Sequence, residues 1–137
     1  MDRLSKEQRS RLMSKVRGKD TLPEKIVRSY LHNKGFRFRL HDRKLPGTPD
    51  IVLKKHNTVV FVHGCFWHQH PGCKNASIPQ TRVEFWKEKF KKNVENFKKQ
   101  KAKLEIDAWK VLVVWECEIK KREQLLLLSE LIIRKNL

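Results

Sequence analysis

Apolar residues recur along this chain with two periods. Over residues 21–33, Ile26, Val27, Tyr30 and Leu31 fall on one stripe at helical spacing. Thr21 with Glu24 forms a T-x-x-E capping box, Pro23 suits a first turn, and Gly35 stands where a C-terminal cap belongs. Phe36-Arg37-Phe38-Arg39-Leu40 alternates with period two, as a half-buried strand does. Leu45-Pro46-Gly47-Thr48-Pro49 turns the chain, and Asp50 opens a second strand, Ile51-Val52-Leu53. Lys54-Lys55-His56-Asn57 turns it again, and residues 58–62 form the continuous apolar run of a buried central strand. These three strands read as a meander.

Residues 63–79 break both periods and are dense in His, Cys and aromatic residues. Thr81 with Glu84 repeats the capping box ahead of a long helix. Phe85, Trp86, Phe90, Val94, Phe97 and Leu104 form its apolar side, and lysines crowd the other. Lys110 to Trp115 predicts another buried strand. Residues 120–135 predict a last helix through Leu125, Leu126, Leu128, Leu131, Ile132 and Ile133. Residues 5–17 predict a short basic helix anchored only by Leu4, Leu12, Met13 and Val16, broken at Gly18-Lys19-Asp20. The order predicts an α/β layer fold with a mixed sheet, in one domain spanning residues 1–137.

Charge narrows the partners. The chain carries 32 Lys+Arg against 15 Asp+Glu, a net +17. Such self-repulsion is relieved by a polyanion, and no helix has the broad apolar face that would lie in lipid, so nucleic acid is the expected partner. Residues 1–20 then read as a basic DNA-contacting arm. No apolar stretch is long enough to span a membrane, and the first residues lack the pattern of a signal peptide, so a cytoplasmic protein is expected. A monomer is the default.

Three cysteines in such a chain point to a metal rather than to disulfides. Cys65, His70 and Cys73 read C-x4-H-x2-C, and Cys117 follows the fourth strand. Four N/S ligands suit a closed, structural zinc site, although His63 and His68 compete for the imidazole place. Asp50, at the head of one strand, and the backbone carbonyl of Val62, on the next, can meet as hard oxygen donors for magnesium. His68, in the loop just beyond, can take a proton from an attacking water, and His63 is a second candidate. Glu24 and Glu84 are fully explained as capping glutamates at this level.

The strings Leu45-Pro46-Gly47-Thr48-Pro49-Asp50, Val60-Phe61-Val62-His63-Gly64-Cys65-Phe66-Trp67-His68, Phe85-Trp86 and Trp115-Glu116-Cys117 together resemble the very short patch repair (Vsr) DNA mismatch endonucleases. The resemblance runs from about Met13 to Glu118. It implies a PD-(D/E)xK restriction-endonuclease-like fold, a mixed four-stranded sheet flanked by helices with a structural zinc. It implies nicking of double-stranded DNA beside T:G mismatches left by deamination of 5-methylcytosine, with Mg2+ and a 5′-phosphate product. By position, Asp50 would hold magnesium with the Val62 carbonyl, His68 would be the general base, and Glu24 and His63 would belong to the catalytic site. Cys65, His70, Cys73 and Cys117 would hold zinc. Phe66, Trp67 and Trp86 would wedge into the base stack, where unstacking is easiest at a mismatch. A cytosine-5 DNA methyltransferase would be a functional companion, and the protein would be of a bacterial, nucleoid-associated kind. The chain departs from the family in a loop one residue longer around Gln69 to Cys73, and in Phe97 where an aspartate is usual. The second departure leaves an alternative: a zinc-stabilised DNA-binding module, catalytically weak or inactive.

Overall fold

A computed structural model describes residues 21–134. The basic arm expected over residues 1–20 lies outside them. Helix α1 spans Leu22–Asn33, and Thr21 accepts the Glu24 amide on its hydroxyl at 3.4 Å. Gly35, at φ +95°, reverses the chain, with its amide on the His32 carbonyl and the Phe36 amide on that of Leu31. Only glycine takes that backbone without strain.

Strand β1 is Arg39–Leu40, β2 is Ile51–Leu53 and β3 is Thr58–His63. A 3-10 turn over Lys54–His56 and Asn57 in the left-handed region join β2 to β3. The strand expected over residues 36–40 shrinks to two paired residues. Phe36 is buried and Arg37 exposed, as the alternation requires. However, β2 offers only three residues to pair with, and the Arg37 guanidinium bonds back to the Phe36 and His32 carbonyls.

Helix α2 spans Val83–Ile106, β4 spans Lys110–Trp115 and α3 spans Arg122–Ile133. The second capping box does not form. Arg82 takes left-handed angles between Thr81 and the helix, which starts without a side-chain cap, and its guanidinium sits 4.4 Å over the Phe85 ring. A left-handed residue at the cap position swings the Thr81 hydroxyl out of line with the first-turn amides.

The sheet order is β1-β2-β3-β4, antiparallel across the first three strands and parallel between β3 and β4, with α2 as the crossover. Alternate side chains face two layers. Ile51, Leu53, Val60 and Val114 pack with Val27 and Leu31 of α1 and Leu125, Leu128 and Ile132 of α3. Val52, Val59 and Phe61 pack on the other face with Leu104 and Phe97 of α2. Full burial of each such aliphatic side chain stabilises the fold by about 1.5–3 kcal/mol.

The apolar stripes are narrower than expected. Phe85, Leu126 and Ile133 are 47%, 46% and 62% exposed: on α3 only the i, i+3, i+4, i+7 set is buried, and on α2 Phe97 and Leu104 face the sheet while Phe90 packs against Phe66. Among the described residues, no helix is long and apolar enough to cross a membrane.

Candidate active site and metal centre

Two pairs of strand ends place the chemistry. Continuing the Leu40–Ile51 pairing by one step puts His41 opposite Asp50, and the His41 amide donates to the Asp50 carbonyl at 3.2 Å. On the other side of β2, Asp50 Oδ2 accepts the Val62 amide at 2.7 Å. Within an extended strand a residue's N–H and C=O point to the same side, so the Val62 carbonyl faces the Asp50 edge as well. Helix α1 brings Glu24, whose Oε2 lies 3.0 Å from His41 Nε2; that nitrogen is 3.9 Å from Asp50 Oδ1. Donor atoms of Glu24, His41 and Asp50 all lie within 4.8 Å of one another. Burial pushes the Asp50 carboxyl up to about 6 and Glu24 adds repulsion, against the Val62 hydrogen bond that holds it down. Two carboxylates this close, on a largely desolvated edge, form a site that a divalent cation relieves.

The next two groups lie past β3. His63 is buried, 4% exposed, and its ring stacks on His68 at 3.7 Å and 6°. Burial first, then repulsion from His68, lowers His63 to about 3; burial lowers His68 as well. The Nδ1 atoms of both rings are buried with no hydrogen-bond partner in the described structure. Each neutral imidazole carries one nitrogen that can accept a proton, and a buried Nδ1 without a partner leaves that ring free to act on a group entering the cleft. Phe97 closes the other side, edge-on to His63 at 4.5 Å.

The parallel pair β3–β4 builds the second cluster. His63 pairs with Trp115, so Cys65 and Cys117 leave the sheet side by side. Glu116 fastens the two exits: its amide donates to the His63 carbonyl at 2.9 Å and its carboxylate accepts the Cys65 amide at 3.1 Å. His70 Nδ1 lies 3.4 Å from Cys117 Sγ and 3.7 Å from Cys65 Sγ, and Cys73 completes a quartet whose donors lie within 4.8 Å of each other. Tetrahedral zinc with S and N ligands separates neighbouring donors by about 3.6 Å, so this quartet fits the ion. Trp115 stacks on His70 at 4.2 Å and fixes the ring that offers Nδ1. Burial pushes the Cys65 thiol up to about 12, whereas the Asn75 amide first of all lowers Cys73.

Glu24, His41, Asp50, Val62, His63 and His68 line one cleft of about 940 Å3. Phe66 and Trp67 stand on its wall, half-buried, and pack on Trp86 of α2 at 5.5 and 5.9 Å. Asn93 donates to the Trp67 carbonyl at 3.0 Å and so ties this aromatic corner to the helix.

The family model described as "DNA mismatch endonuclease Vsr" matches residues 1–75. The chain belongs to this family. The DNA mismatch endonuclease Vsr of Escherichia coli is 44% identical over 117 residues, 85% of this chain and 74% of that protein. The type II nicking enzyme V.XorIIP of Xanthomonas oryzae is 51% identical over 118 residues, 86% of each chain. A further nicking enzyme, V.NmeAIP of Neisseria meningitidis, is 48% identical over 114 residues, 83% of this chain and 81% of that protein.

In this Vsr chain the structure brings together Glu24, Asp50, Val62, His63 and His68 on one side, and Cys65, His70, Cys73 and Cys117 on the other. The longer loop does not displace His70 from the cysteines: His68 stacks in the cleft instead. Glu24 is more than a cap, since its carboxylate reaches His41. The sequence reading passed over His41 and Asn93. His41 had a signal, because the last residue of one hairpin strand faces the first of the next; Asn93 had none.

Proposed function

We propose that this protein nicks one strand of double-stranded DNA beside a T:G mismatch, in the chain's own PD-(D/E)xK-type cleft. The observation that carries the reading is the meeting of Asp50, Glu24 and two neutral imidazoles in a single cleft flanked by aromatic rings. The scissile phosphate would lie between Asp50 and His68. Asp50, the Val62 carbonyl and Glu24 are the residues that would hold magnesium, which when bound polarises the phosphate and stabilises the leaving oxygen. His68 accepts the proton of the attacking water, and His63, stacked against it, keeps the ring in place and takes up no proton of its own. Attack opposite the 3′ oxygen breaks the P–O3′ bond and leaves a 5′-phosphate. Phe66, Trp67 and Trp86 wedge between bases, and the energy needed is least where pairing is already faulty. Cys65, His70, Cys73 and Cys117 would hold zinc, which supplies rigidity rather than chemistry. The residue 1–20 arm contacts the duplex, the domain works as a monomer in the cytoplasm, and a cytosine-5 methyltransferase creates the bases whose decay supplies the substrate.

Phe97 favours one competing reading, a binding module without turnover, because a ring edge stands against His63 where the family usually has a carboxylate. One assay separates the two: nicking of T:G and fully paired duplexes by the wild type and Asp50→Asn, with Mg2+ and with EDTA. The proposal requires magnesium-dependent nicking of the T:G duplex that Asp50→Asn abolishes. Tight binding with no product from the wild type would establish the binding module.

A further inference from the structure

We propose that His41 is a third side-chain ligand of the nuclease cation, beside Asp50 and Glu24, and that its nitrogen makes this centre prefer a first-row transition dication to magnesium. The inference rests on the nuclease reading above. Asp50 and the Val62 carbonyl alone make an all-oxygen site, the kind that suits magnesium. His41 changes its composition. Its Nε2 lies 3.0 Å from Glu24 Oε2 and 3.9 Å from Asp50 Oδ1. Adjacent donors on an octahedron of ~2.1 Å bonds are about 3.0 Å apart, so the His41–Glu24 pair matches one edge of such a shell, and Asp50 Oδ1 comes within reach of the same ion by a small side-chain adjustment. The side chains are 12%, 10% and 19% exposed, and all three open onto the cleft rather than onto bulk solvent. The His41 backbone is fixed by its hydrogen bond to the Asp50 carbonyl, so the imidazole is held to the site by the sheet and not by the ligand contact itself.

Without a cation, Nε2–H donates to Glu24. On coordination the ring proton sits on Nδ1 and the Nε2 lone pair turns to the ion. An imidazole donor strengthens binding along the first-row series and does little for magnesium, which holds water and carboxylate in preference.

The test uses the full chain with one equivalent of zinc already bound, so that the cluster of Cys65, His70, Cys73 and Cys117 is filled. Mn2+ and Mg2+ are titrated calorimetrically into the wild type, His41→Gln, His41→Ala and Asp50→Asn, with circular dichroism as the folding control. The Mn2+ forms are examined by pulsed EPR for 14N coupling. We expect the wild type to bind Mn2+ at least ~10-fold more tightly than Mg2+, and His41→Gln to lose most of that ratio. The 14N coupling should be present in the wild type and absent in both His41 variants. An unchanged ratio in His41→Gln, or a 14N signal that survives in it, overturns the inference while leaving an Asp50-dependent site intact. If wild type and Asp50→Asn take up Mn2+ equally, the nuclease reading falls with it.

Discussion

Two imidazoles stacked at 3.7 Å cannot both carry a proton cheaply, and burial has already taken the charge from each. His63 has its pKa depressed from 6.5 to about 3, so as pH falls through that window the unfolded chain takes up a proton that the folded one refuses, and stability is lost. We expect its ring resonances to stay unprotonated between pH 5 and 8 in a two-dimensional NMR titration. Phe97→Asp, by placing a carboxylate where a ring edge now sits, should raise that pKa and bring the titration into view. Asp50 runs the other way. Its pKa is raised, so the folded state favours the proton, and about 3 kcal/mol of relative stability is lost as pH rises from 3.8 to about 6. Asp50→Asn removes this slope, which urea midpoints at pH 4 and pH 7 without added magnesium will show; equal slopes in the two proteins refute the buried-carboxyl account. Asp50, His68 and the Cys65, His70, Cys73 set stood out as candidates in the sequence because each belongs to a short string with its own chemistry. His41 could not be ranked that way. Its neighbours are a helix and a strand that only hairpin register and layer packing bring near.

At the scale of elements, two features position the site. Gly47, at φ +75°, turns the loop that delivers Pro49-Asp50, and a Cβ there would meet Gln100 Oε1 at 2.7 Å and Phe61 Cε1 at 3.2 Å. Gly47→Ala should therefore cost about 1–2 kcal/mol in denaturant unfolding, combining backbone strain with crowding. At the far end of the sheet, Lys110 Nζ donates to the carbonyls of Leu131, Ile132 and Arg134 and so closes the C-terminus of α3. Lys110→Met should lower stability by about 1–2 kcal/mol and speed amide exchange in the last turn of α3, with α1 unaffected. The central strands, the turns and the mixed sheet were legible because short apolar, β-branched runs separated by Pro, Gly and Asn leave little choice. Helix faces were less so. Phe85, Leu126 and Ile133 are apolar yet exposed, and nothing in a linear pattern distinguishes a wide stripe from a narrow one on a helix that covers only a sheet.

The whole molecule carries +17, and lysines run along the length of α2, from Lys87 to Lys103. If about six phosphates are neutralised, the log–log salt dependence of duplex binding will have a slope near −5. A slope near zero would remove electrostatics from the account. The whole-chain reading of charge is also the part that needed no structure, since net charge does not depend on which residue lies where.

The quartet of three cysteines and His70 joins remote parts of the chain, His70 and Cys117 being 47 positions apart. Cys65, His70 and Cys73 are close in the sequence, but Cys117 meets them only after a long loop has closed, so a cation bound there would gain its fourth ligand only once β3 and β4 have paired. The closing contact of such a cation would therefore follow the pairing of the two strands. Removing the cation should leave refolding rates nearly unchanged while unfolding quickens, so that the molecule's lifetime, more than its speed of assembly, depends on the knot.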